Sequence, residues 1–291
     1  MPKPQVRRLI QQGSLALKAV MVEHLSIMAE NMIDQVIAHM KTLPESKRMD
    51  AIMDLQPKGV QAYREAMLAA MSVISADALK DVRSEVPKGK TVQLSEDVEN
   101  SLQLGEFEKL PASIRNKLFR QYQLLSMTQI TDLQKTIAWQ FNHSVDSTDS
   151  LAILKADLED AAYEMATGPR VTAGAGSVAS QIVNETRIEF FEMPEIREQI
   201  AAFRFVNGDP VSPICQDLAG TIFDIDDPDR FRYTPPLHFN CKSYIEPILE
   251  LKGNMEITKL KPSTSKLEDS IQFSEQVCCG HVHIEGETPH L

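Results

Sequence analysis

The sequence contains no uninterrupted apolar run approaching the roughly 20 residues that a membrane-spanning helix needs, so no membrane partner is expected. It is also poor in cysteine: Cys215, Cys241, Cys278 and Cys279 are the four in 291 residues. In a reducing compartment, scattered cysteines are more often free thiols or metal ligands than disulfides. Basic residues are the minority, 30 against 41 acidic ones, for a net charge of -11. An acidic chain repels nucleic-acid phosphate unless basic groups cluster locally. DNA contact is therefore confined to a local patch. Lys252, Lys259, Lys261 and Lys266 are the candidates, and a solvated linker is the plainer reading of them.

Several hallmarks are missing as well. Lys3, Arg7 and Arg8 open the chain, but Glu23 and His24 interrupt the segment behind them. That is an amphipathic pattern without the apolar stretch and cleavage site of a signal peptide, so the chain is expected to stay in the cytoplasm where it is made. Gly174 and Gly176 are not followed by the Gly-Lys-Ser/Thr of a phosphate cradle, and there is no Gly-x-Ser-x-Gly or His-Glu-x-x-His. The acidic stretch Asp224-Ile225-Asp226-Asp227-Pro228-Asp229 lacks the sixth-position glycine and distal glutamate of an EF-hand, and reads as a solvated loop.

What is present is helical periodicity. With 43% hydrophobic residues the chain can bury a core, and its length suits one large or two ordinary domains. Val22, Leu25, Met28, Met32, Ile33, Val36 and Met40 recur at helical spacing, and Pro44 is expected to stop that helix. The methionines read as core packing rather than as an adaptable binding surface. A second helix is predicted over residues 60–82, with Tyr63, Met67, Ala70, Met71 and Ile74 inward. Residues 85–106 lose the periodicity and read as a linker with a short strand at 91–94.

Beyond it, Pro111 sits at a first-turn position. Ile114, Leu118, Tyr122, Leu125, Ile130, Leu133, Ile137 and Phe141 keep helical spacing, and Trp139 is assigned to the core. Residues 147–150 offer caps to a helix that ends near Gly168-Pro169. Residues 172–180, small and glycine-containing, read as a loop leading into the helix of Ile182, Val183, Thr186, Arg187 and Phe190. Strands are expected only after residue 200, starting with the β-prone Phe203-Arg204-Phe205-Val206.

The predicted class is α+β, predominantly helical. An N-terminal helical region (1–85) and a linker (86–105) precede a helical and small β-rich module (106–251). A tail (252–291) follows, linker-like, with a terminal strand near 282–284.

One segment carries a recognisable order of residues. Phe203-Arg204-Phe205-Val206 is followed by Asp209, then Pro213-Ile214-Cys215 and Leu218-Ala219-Gly220. Pro235-Pro236-Leu237-His238-Phe239-Asn240-Cys241-Lys242-Ser243 and a closing Ile245-Glu246-Pro247 complete it. This order resembles the head morphogenesis family of tailed bacteriophages, the Mu-type minor head (minor capsid) proteins. Asn184-Glu185-Thr186-Arg187 stands where the family has a Thr-Glu-Thr-x-Arg-like stretch. Fuller members carry Cys-x-x-Cys in the first turn and Cys-x-Cys in the last; here the outer positions are Ser212 and Ser243, and Lys242 replaces arginine. The resemblance implies a structural and assembly component of the virion, made in the infected bacterium. It would act at the portal vertex or inner capsid, with portal and capsid proteins as partners and a link to DNA packaging or delivery.

Cys215, His238 and Cys241 have the donor atoms that zinc takes in tetrahedral sites. A closed site needs a fourth ligand: Asp209 or Asp217, or Cys278, Cys279, His281 or His283 of the tail. The alternative is two small buried cysteines and a histidine hydrogen-bonded in a turn. The same residues admit catalysis, with Cys215 as nucleophile, His238 as base and Asp217 or Asp209 orienting it, but no catalytic residue is assigned. A zinc- or thiol-dependent hydrolase and a DNA-binding accessory protein of the virion stay open beside the assembly role.

Overall fold

The computed structural model describes residues 4–39, 42–85, 110, 112–148, 150–208, 212–228, 230–238, 240–251, 253 and 255–258. The strand expected at 91–94, Pro111 and nearly all of the tail lie outside them, and so do Asp209, Cys278, Cys279, His281 and His283. The architecture is predominantly helical α+β.

The first helix, α1 (Pro4–His39), is longer than its methionine stripe. Val6, Ile10, Leu17, Met21, Leu25, Met28, Met32 and Val36 are wholly buried along one face, a repeat of three and four residues that gives a continuous apolar seam. Gly13 interrupts that seam because Ile74 of a neighbouring helix presses in: a Cβ on Gly13 would meet Ile74 carbons at 3.0 Å. Pro44 lies beyond the end of α1, as expected. It is the N-cap of α2 (Glu45–Met53), a short charged helix with no apolar stripe to announce it. Arg48 of α2 is pinned by an ion pair with Asp146 at 3.1 Å.

The second expected helix is α3 (Val60–Arg83), with Tyr63, Met67, Met71 and Ile74 buried as the spacing requires and Ala70 half-buried. Next come α4 (Ala112–Ser144) and α5 (Leu151–Thr167), the latter capped by the Ser150 hydroxyl, which accepts from the Ile153 amide at 3.4 Å. Trp139 is not in the core: it is 55% exposed and stacks on His143 at 3.9 Å. The buried face of α4 carries Leu133, Ile137 and Phe141, and a residue two positions on from Ile137 points to the opposite side.

The largest departure is α6 (Pro169–Phe191). Residues 172–180 are not a loop; the helix starts at Pro169, a first-turn proline, and runs through both glycines. Ala175, Gly176, Ser177, Val178, Ala179 and Ser180 are all buried in succession, because α1, α3, α4, α5 and the sheet all pack around this helix. Small side chains here signal crowding from every direction rather than a turn.

After α7 (Pro194–Arg197) the chain builds a three-stranded antiparallel sheet, β1 (Ala202–Val206), β2 (Ile222–Phe223) and β3 (Tyr244–Ile248), in the order β2-β1-β3. Phe203 lies opposite Phe223, and Phe205 opposite Ile245. Between β1 and β2 sits α8 (Pro213–Asp217). One contiguous hydrophobic core includes residues from α1 through β3, so the helices on either side of residues 86–109 share it.

Arg187 of α6 fastens this body together. It is fully buried, with Nη1 donating to Asp81 Oδ2 and Nη2 to both Glu85 oxygens, each at 3.1 Å, and to the Ile245 carbonyl at 3.2 Å. The aromatic faces of Phe191 and Tyr244 cover it at 5.5 and 5.6 Å. Arg187→Ala would leave two enclosed carboxylates without their cation. The expected loss is about 3–5 kcal/mol of unfolding free energy in a denaturant titration. Arg187→Lys should recover only part of it, because an ammonium cannot reproduce the forked donor geometry.

Candidate functional site

The site forms where the two turns of the β-rich segment meet α6. The first turn follows β1. Pro213 sits at the first helical position of α8, and the five-residue helix delivers Cys215 into the interior, where it is fully buried. Gly220 then takes a left-handed φ of 82°, which a side chain would strain, and turns the chain into β2. The second turn follows the 3-10 turn Arg230–Tyr233 and the cis Pro235-Pro236 peptide. The buried Leu237 anchors it, His238 follows, and the Cys241 amide donates to the His238 carbonyl at 3.2 Å. Asn240 adopts φ 55°, a conformation asparagine tolerates better than most residues.

This second turn is docked on α6 with no space to spare. The Asn240 amide donates to Ser177 Oγ at 2.9 Å. A Cβ at Gly176 would fall 2.2 Å from Asn240 Oδ1 and 3.4 Å from its Cα, so any larger residue would push the Asn240 side chain out of place. Further along, Asn184 Nδ2 donates to the Ser243 carbonyl at 3.2 Å, and Ser243 Oγ accepts from the Gly208 amide at 3.2 Å. Gly208 is a second forced position, since a Cβ there would overlap the Lys242 carbonyl oxygen at 1.8 Å.

The result is that Cys215, His238 and Cys241 converge. Cys215 Sγ lies 3.2 Å from His238 Nε2 and 3.8 Å from Cys241 Sγ, and the three donor atoms are all within 4.8 Å of one another. With metal–sulfur bonds near 2.3 Å, the edge of a tetrahedron between two thiolates is about 3.8 Å. The three residues therefore form a group that could hold a metal ion. Both cysteines are free thiols, well short of the contact that a disulfide requires.

Ser212 and Ser243 also reach this centre, each hydrogen-bonded to Cys215. The positions that hold the outer cysteines of the resembled pattern thus converge on the same point, with hydroxyls in place of thiols. Asp217 ends α8 outside the converging group. The acidic stretch near 224–228 is mostly exposed, and Asp226 pairs with Arg197, away from the thiols.

The two thiols are electrostatically unequal. The hydrogen bond from Cys215 holds Cys241 well below the usual thiol range against the cost of burial, helped by His238. The same hydrogen bond, then burial, pushes Cys215 up. The two sulfurs share one hydrogen bond. That arrangement suits a ligand set, in which a cation displaces the shared proton.

The spacing His-x-x-Cys was enough to single out His238 and Cys241. Gly176, Ser177 and Asn184, which hold the turn in place, carry a weaker signal: a run of small residues inside a helix. Comparison with protein-family models, with curated proteins and with solved structures gives no match to this chain.

Gly176→Ala should therefore act on the site from a distance. Moving the Asn240 turn is expected to cost about 1–3 kcal/mol of stability, as overpacking does. It should also speed the reaction of Cys241 with a thiol reagent under native conditions, where Gly174→Ala, whose Cβ would meet only a Leu125 methyl at 3.8 Å, should not.

Proposed function

We propose that this chain is a structural and assembly protein of the tailed-phage minor head type, in which Cys215, His238 and Cys241 hold zinc. The observation that supports the reading is the meeting of separated motif positions. Residues 212–215 and 238–243 lie in different turns, yet Ser212, Cys215, His238, Cys241 and Ser243 gather on one point. Their common setting is a turn seated on α6, the helix that also carries Asn184 and Arg187 of the resembled upstream stretch.

On this reading zinc is architectural. When bound it would cross-link the two turns and hold the β-rich knuckle to the helical body, which in turn presents surfaces to portal and capsid proteins in the virion. Assembly would take place in the host bacterial cytoplasm. DNA contact during packaging or delivery would need a local basic patch, given the acidic whole. A second reading, a zinc- or thiol-dependent hydrolase, draws on the count of three protein donors, which is the number catalytic zinc sites use while leaving a position open. Burial of both sulfurs weighs against it.

The protein purified without chelator should contain one zinc per chain by elemental analysis. Cys241→Ser should lose it, and stripping the metal should lower the thermal midpoint, because metal binding adds to folding free energy. Absence of stoichiometric metal sinks the zinc part. Co-purification with the portal protein of the same virion tests the assembly role separately, and chelator-sensitive turnover on a polymer substrate would favour the hydrolase.

A further inference from the structure

Away from the thiols, a cavity of about 300 Å³ opens between α4, α6 and the sheet. That is the lower end of the size range of small-ligand sites. Ile188, Phe203, Phe223 and Ile245 supply an apolar wall. The polar end is Glu185 of α6. Its oxygens accept from Gln181 Nε2 at 3.0 Å and Gln121 Nε2 at 3.4 Å, both neutral amides. An ionised carboxylate offers about four acceptor positions, so these two bonds leave capacity unused. No ion pair among the described residues includes Glu185, whereas the cations that line the same cavity already face other carboxylates. Lys117 meets Glu189 at 2.5 Å, and Arg230 pairs with Glu192. Burial pushes the Glu185 carboxyl above its usual range, against the pull of Gln181 and Lys117. Glu189 adds to that rise and Arg120 opposes it, but neither Lys117 nor Arg120 makes an ion pair with Glu185, so an entering cation would be its first direct counter-ion among the described residues.

We propose that this cavity binds an alkylammonium group, a primary amine on an apolar stem, with Glu185 as its counter-ion and the Ile188, Phe203, Phe223 and Ile245 wall around the stem. An anion is disfavoured, because it would have to displace Glu189 or Glu192 while lying beside Glu185. A neutral alcohol would gain the wall but not the charge. The ammonium could arrive on a free aliphatic amine or on a lysine side chain of a partner protein. The chemistry recognised is the same in both cases, and it is independent of whether the Cys215, His238 and Cys241 group holds metal.

The test uses the full chain with isotope-labelled isoleucine methyl groups, titrated with n-butylamine, 1-butanol and butyrate. Saturable shifts of the Ile188 and Ile245 methyl signals are expected with n-butylamine, and much weaker ones with the other two. Glu185→Gln should weaken the amine about tenfold or more, the scale of one charged hydrogen bond. Thr234→Phe fills the cavity from another wall without touching the carboxylate, and it should block binding even if the Glu185 variant does not fold. Nα-acetyl-lysine methylamide separates the sources: binding at least as tight as n-butylamine identifies a partner's lysine, and failure beside a binding amine identifies a free amine. Butyrate binding as tightly as the amine, unchanged affinity in folded Glu185→Gln, or no saturable shift with any probe would overturn the proposal.

Discussion

The buried guanidinium of Arg187 is the constraint from which the rest of the structure follows. An arginine without solvent is tolerable only when its charge is matched, and here both terminal nitrogens of the fork are paired while Nε is not. Asp81 and Glu85 supply the charge from the end of α3, and Ile245 supplies a carbonyl from β3. One side chain on α6 therefore fixes the position of an N-terminal helix and of a C-terminal strand at once. Non-directional apolar packing would let these elements slide; three oxygen-bearing partners around one planar group do not. This places the sheet against α6 in a single register, and the two turns that carry the thiols inherit that placement.

The same helix meets its other neighbours through small side chains. Gly176 admits Asn240, Ser177 accepts from the Asn240 amide, and Asn184 reaches the Ser243 carbonyl. Glycine within a helix costs about 1 kcal/mol relative to alanine. Its presence at a crowded face is accounted for by the contact it permits, not by local backbone preference. The site thus depends on close approach between a helix and a turn that lie far apart along the chain.

This explains which features were legible in the sequence. Wherever a local pattern decides the outcome, the reading holds: the stripe of α3, the Ser150 cap of α5 and the alternation of β1 are each contained within one element. It fails where tertiary contact decides. Residues 172–180 look like a loop because Gly174 and Gly176 sit among serines and a threonine that disfavour helix on their own, and nothing local reveals that five neighbours will press on them. Trp139 looks like core because of its type, whereas its position on α4 places it opposite Leu133 and Ile137. The short helix α2 has no stripe, and Arg48 holds it through Asp146, far away in sequence. At the site, His238 and Cys241 were legible from their short ligand-like spacing, and Cys215 from its place in the Pro-Ile-Cys turn of the resembled pattern. The hydroxyls of Ser212 and Ser243 gain meaning only once both turns are seen to converge.

Those two serines also bear on the charge the site can carry. Four thiolates around a divalent cation make a dianion, which needs backbone amides or solvent to offset it. Two thiolates and a neutral imidazole around zinc, as proposed, sum to zero. Cys215 and Cys241 are fully buried, and a buried net charge is costly unless it is paired. Ser212 and Ser243 can donate hydrogen bonds to the Cys215 sulfur, where two further thiolates would add charge. Serines at these two positions are thus consistent with a metal centre whose charge suits a dry interior.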